Sequence, residues 1–296
     1  MYKIFTGSES PAVQLAMEEL IRYGNGVFAP AEDAGQADVL LHTEDSSRLQ
    51  DSFSLKSSAG KLFITGSNPR SVLYGVYEYL KHFGFAFLYP GPEGEVIPPN
   101  PQFTVDGFDR QETASRTFRG IAARPAPGKL EEGIQLIRFM VKNKYNLFFM
   151  EGYDEDRPGD EYSVRDGIHP LQHVEYALKD KSWEERLEIA REQKKMAEEA
   201  RRCGLLVERG GHGWNYGVPE HYGFLHHLSA EEARNILKAR GNVNKMAEAA
   251  VSTWFQICLE KEEVREIYAE HIVSYLLKHR GEFDIAAIWL GDGYDN

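Results

Sequence analysis

Four near-continuous apolar segments, each of the first three followed by a long amphipathic stretch, constrain this chain more than any other feature. The segments are TFRGIAA (117–123), YNLFFMEGY (145–153), LLVERGGHG (205–213) and FDIAAIWLGDG (283–293). Between them run LEEGIQLIRFMVKNK, SWEERLEIAREQKKMAEEARRCG and KEEVREIYAEHIVSYLLKHRG. Apolar runs without polar alternation are expected of parallel strands covered on both faces. The intervening stretches are long enough for helical crossovers between parallel neighbours. Ser182 with Glu185 has capping-box spacing at the start of the second helix, and Gly281 is the expected C-cap of the third. The pattern predicts four parallel β/α strands, either a small open α/β sheet or the first half of a (β/α)8 barrel.

The first hundred residues read differently. YKIF and ADVLLHT are strand-like, and DSFSLKSSAGKLFITGS reads as a hairpin turning at Ser-Ala-Gly. PAVQLAMEELIRYG and NPRSVLYGVYEYLKHFG have helical spacing, with Pro11 and Pro69 at their starts and Gly24 at the end of the first. FAFLYP is read as a further strand. PGPEGEVIPPNPQ then places five prolines in thirteen residues, which stops helix and central strand alike. The expected organisation is an α+β accessory domain over 1–105 and a partial (β/α)8 barrel over 106–296.

The balance of 46 acidic against 34 basic residues gives a net charge of −12, which argues against binding along a phosphate backbone. Cys203 and Cys258 are far apart and form no CxxC pair, so neither a disulfide framework nor a zinc site is expected. His169 and His173 are spaced by four but separated by Pro170, and no metal is expected there or in HYGFLHH. No cofactor is expected. No run of about 18 apolar residues predicts a membrane span. MYKIFTGSES lacks the features of a signal peptide. The default compartment is cytoplasmic, or periplasmic or extracellular with a leader upstream. If the chain is complete, an unclosed barrel edge predicts self-association.

In parallel β/α folds, ligands bind at the C-terminal ends of the strands. The first segment brings Arg119 and Arg124, the second Glu151, the third His212, Trp214 and Asn215, and the fourth Asp292, Tyr294 and Asp295. Each has a plainer reading. Asp292 between glycines suits a turn, Arg119 an ion pair, Glu151 a helix cap, His212 a loop anchored to backbone. Their recurrence at every strand end points to one rim lined by carboxylates, hydrogen-bonding groups and aromatics, a composition suited to carbohydrate.

These segments resemble a known group of enzymes. GKLFITGSNPRSVLYGVYEYLKHFGFAFLYPGPEGEVIP is similar to the N-terminal domain of family 20 β-hexosaminidases and of α-glucuronidases. FRGIAAR, MVKNKYNLFFM, CGLLVERGGHGW and IWLGDG resemble, in order, the first four strand motifs of their catalytic barrel. The resemblance implies a glycoside hydrolase acting on poly- or oligosaccharides. Arg119 and His212 would hold sugar hydroxyls, Trp214 would stack on a ring, and Asn215 and Tyr294 would line the site. Asp292 is the first candidate for a catalytic carboxylate, with Glu151 or Asp295 as partner. One departure stands out: where the hexosaminidase motif follows its Asp with the general acid Glu, this chain has Gly293. That departure supports an alternative, a non-catalytic carbohydrate-binding protein on a degenerate barrel.

Overall fold

The computed structural model describes the chain except for residues 45–48, 122–127, 151–181, 212–261 and 290–296. It divides into two compact units, one formed by residues 1–149 and 194–207, the other by 150–193 and 208–296.

The first unit opens with a six-stranded mixed sheet. Its strands are β1 (Tyr2–Phe5), β2 (Phe28–Pro30), β3 (Val39–Thr43), β4 (Ser52–Ser58), β5 (Lys61–Gly66) and β8 (Asp109–Thr113), in the spatial order β2-β1-β3-β5-β4-β8. The β1, β2, β3 and β5 pairings are parallel, whereas β4 runs antiparallel to β5 and to β8. The hairpin between β4 and β5 turns on Ala59 and Gly60, both at positive φ (52° and 72°). Two such residues in succession match the right-handed twist of the flanking strands.

Helix α1 (Pro11–Gly24) and helix α2 (Pro69–His82) start at their prolines, as the sequence predicts. The α2 cap is Asn68, whose side chain accepts from the Ser71 N–H at 3.0 Å. The apolar stripe of α2, including Leu73, Val76, Tyr77 and Leu80, is buried with Leu62 and Ile64 of β5. The turn from β5 into α2 is tight. A Cβ on Gly66 would lie 2.4 Å from the Val72 nitrogen and 2.8 Å from the Asn68 oxygen.

The expected strand FAFLYP is reduced to β6 (Ala86–Phe87), paired antiparallel with β7 (Glu95–Val96) across a 3-10 turn at Pro92–Gly94. The chain after the prolines returns to the core. Phe103 meets Phe28 and Phe83 with ring centroids 5.0 Å apart, and the Tyr79 hydroxyl donates to the Thr104 carbonyl at 2.9 Å. It then forms β8, which lies past residue 105 and adds to the first sheet.

The four predicted parallel strands follow as β9 (Gly120–Ile121), β10 (Leu147–Met150), β11 (Leu206–Gly211) and β12 (Ile285–Ile288). β9 pairs parallel with β10, and β11 with β12. The helices between them are α3 (Leu130–Lys142), α4 (Trp183–Arg202) and α5 (Glu262–Lys278). The capping box of α4 is formed: Ser182 N–H donates to Glu185 Oε2 at 2.7 Å, and Glu185 N–H to Ser182 Oγ at 3.2 Å. Gly281 is at positive φ just beyond α5. No described helix is long and apolar enough to cross a membrane. Among the described residues no closed barrel is present.

Because the Gly66 neighbours are backbone atoms that cannot rotate away, Gly66→Ala is expected to destabilise the protein by about 3 kcal/mol. A urea unfolding curve of the variant against the parent measures this.

Candidate functional site

A densely connected polar cluster is built on Asp51, which is 2% exposed. It sits one residue before β4. Its Oδ1 accepts from Arg70 Nε and from Asn68 Nδ2, each at 2.7 Å. Its Oδ2 accepts from an Arg119 terminal nitrogen at 2.5 Å and from Asn146 Nδ2 at 2.8 Å. Arg70 and Asn68 come from the start of α2, Arg119 precedes β9, and Asn146 precedes β10. A lone buried carboxylate costs several kcal/mol; two guanidinium and two amide donors offset that. Asn146 itself is fully buried; its Oδ1 accepts from the Arg119 N–H at 2.8 Å and its Nδ2 also donates to the Thr117 carbonyl at 2.6 Å.

Lys144 makes the adjoining contact. Its ammonium lies 2.8 Å from Glu78 Oε2 and 2.6 Å from Glu112 Oε1, and Arg110 also pairs with Glu78, at 2.7 Å. Burial alone would raise the Glu78 carboxyl; the hydrogen bond and charge of Lys144, with the charge of Arg110, outweigh it and hold the group below its ordinary range. In the second unit, Arg209 of β11 donates to Glu282 Oε2 at 2.7 Å, and His279 Nδ1 lies 3.1 Å from the same oxygen. This carboxylate ties the end of α5 to β11.

The structure corrects the placement of Arg119. The sequence reading puts it at the C-terminal end of the first parallel strand, whereas it lies immediately before β9, at the N-terminal end. Its Nε donates to the Lys144 carbonyl at 2.8 Å and one terminal nitrogen to the Arg116 carbonyl at 2.7 Å; the other holds Asp51. The reason is local: Gly120 opens the strand, so the side chain before it faces the Asp51 cluster. The remaining candidates, Glu151, His212, Trp214, Asn215, Asp292, Tyr294 and Asp295, lie outside the described residues, as do Arg124 and Cys258. The described strands stop just short of them, at Met150, Gly211 and Ile288.

Two features escaped the sequence reading. Asp51 looks like an ordinary polar residue ahead of a strand; its partners stand 68 and 95 positions away at Arg119 and Asn146. Glu208, in the middle of β11, has its carboxyl pushed up by burial. Only its position directly after the apolar Leu205, Leu206 and Val207 hinted at it.

No family model matches the chain, and no curated protein matches it. Solved structures do. A chitobiase of glycoside hydrolase family 20 from Flavobacterium johnsoniae superposes with a TM-score of 0.50 and 14% identity, over 96% of this chain and 40% of its own. The fold is glycoside-hydrolase-like. An N-acetyl-β-hexosaminidase from Streptomyces plicatus gives 0.49 and 14%, over 92% of this chain and 51% of its own. A family 115 4-O-methyl-α-glucuronidase gives 0.44 and 12%, over 95% and 39%. The chain thus spans about half the length of these proteins or less, and at such identities the likeness is one of fold.

Two outcomes follow from the polar clusters. Asp51→Ala leaves the buried Arg70 and the partly buried Arg119 guanidinium without their carboxylate and is expected to cost about 3–5 kcal/mol in chemical denaturation. The Glu78 carboxyl, lowered in the folded state, adds stability above its unfolded value of about 4.3, and that contribution is lost as pH falls through the folded value. The thermal midpoint should therefore drop below about pH 4.3, and Glu78→Gln should flatten that part of the profile.

Proposed function

We propose that this chain carries the catalytic-type region of a glycosidase that cleaves O-glycosidic bonds in poly- or oligosaccharides by carboxylate acid/base chemistry. What supports the reading is the order of strands and acids. In a fold of the glycoside hydrolase kind, β10 and β12 end at Met150 and Ile288, and the sequence continues into Glu151 after the one and into Asp292 and Asp295 after the other. Ligands of parallel β/α folds meet the protein at these ends. Glycoside cleavage uses two carboxyl groups across the scissile bond, about 5–5.5 Å apart for retention or about 6.5–9.5 Å for inversion. Asp292 fills one role and Glu151 or Asp295 the other. One of the pair must keep its proton near neutrality, through burial or a neighbouring negative charge. His212, Asn215 and Tyr294 would hold sugar hydroxyls, and Trp214 would stack on a ring face. The expected partner is a carbohydrate.

Gly293, standing where the hexosaminidase motif places its acid, favours a second reading, a carbohydrate-binding protein without turnover. The two separate in one assay. On a panel of aryl glycosides the glycosidase reading predicts release of the phenol, reduced by about 10²–10⁴-fold in Asp292→Asn. Sugar binding without turnover, unchanged in Asp292→Asn, selects the second reading.

A further inference from the structure

A groove in the first unit runs between the β6–β7 loop and α3, with a volume of about 220 Å³. Tyr89 forms part of one wall. It is 52% exposed, and its hydroxyl donates to the Glu93 carbonyl at 2.7 Å, which anchors the ring by its far end. The 3-10 turn fixes the loop: the Leu88 N–H donates to the Gly94 carbonyl at 2.8 Å, and the Gly94 N–H to the Gly91 carbonyl at 3.1 Å. Gln135 and Arg138 approach from α3.

The cations of the groove are not equivalent. Lys142 is buried against Glu95 and over the Phe87 ring. Arg22 is shared among Glu19, Tyr23 and Glu95. Arg138 is 47% exposed at its side chain and donates through Nε alone, to Glu199 at 2.9 Å. Its two terminal nitrogens, the fork that matches a carboxylate, hold no partner among the described residues. A second cavity of about 260 Å³ adjoins through the same Arg22 and Arg138.

An anchored, half-exposed ring beside an amide and an open guanidinium fork suits a ligand with an apolar face and one carboxylate. The lining mixes the cations Arg22, Arg138 and Lys142 with Glu95 and Glu131, and Glu19 and Glu199 also pair with Arg22 and Arg138. We propose that this groove is a binding subsite for a uronic acid residue of a carbohydrate, its ring on Tyr89 and its carboxylate on Arg138. The subsite stands on residues of the first unit and does not rest on the catalytic reading.

The test is an amide-resolved NMR titration of the ¹⁵N-labelled chain with methyl β-D-glucuronide, methyl β-D-glucoside and acetate. Saturable shifts at Tyr89, Gly91 and Gln135 with the glucuronide, about tenfold weaker with the glucoside, are expected. Tyr89→Ala should weaken both sugars. Arg138→Gln should abolish the preference for the acid with the melting curve unchanged; Arg138→Lys replaces it if the Gln variant does not fold, and should lower the preference through loss of the fork. The proposal is overturned by an absence of saturable shifts at these amides, by equal binding of glucoside and glucuronide, by acetate alone matching the glucuronide, or by affinities unchanged in the variants.

Discussion

A single buried carboxylate organises the first unit. Asp51 gathers Arg70 and Asn68 from α2 with Arg119 and Asn146 from the starts of β9 and β10. Neither the carboxylate nor the guanidinium groups are stable in a dry interior alone. Each segment is therefore held by the arrival of the others, and the register of β9 against β10 is fixed from the same point. Leu147 opposite Gly120 follows directly on Asn146 beside Arg119. Lys144 repeats the device at the periphery, reaching Glu78 of α2 and Glu112 of β8.

This arrangement occupies one end of the parallel strands. The N-terminal ends of β9 and β10 carry the structural polar cluster. The proposed carboxylates follow the C-terminal ends of β10 and β12 in the sequence. In folds of this kind, polar residues at the N-terminal face serve stability and those at the C-terminal face serve chemistry. Arg119 falls on the first side, which explains why a residue with a suggestive motif is fully committed to protein partners.

The sequence made the repetitive parts legible. Helices α1 to α4 declare themselves by apolar spacing and by Pro11, Pro69 and the Ser182–Glu185 pair, because local rules act within a few residues. The hairpin at Ala59–Gly60 is local too. Other elements had no such signature. β2 is three residues ending in Pro30. β8 reads DRQET, with no apolar alternation, since as an edge strand it needs charges to discourage further pairing. The Asp51 cluster was invisible because its bonds join positions far apart in the chain. The placement of Arg119 failed for a related reason: the motif told which strand it borders, but only the register of Gly120 told which end.

The proline-rich stretch after β6 looks like a seam between modules, and the Asp51 cluster reaches across it. The anion lies upstream of the prolines, while half of its donors lie downstream, as far along as Asn146. Residues 1–105 joined to an unrelated continuation would carry a buried negative charge without Arg119 and Asn146 to meet it. The carboxylate buried by residues 1–105 thus has its full set of donors only once the chain has run on through Arg119 to Asn146.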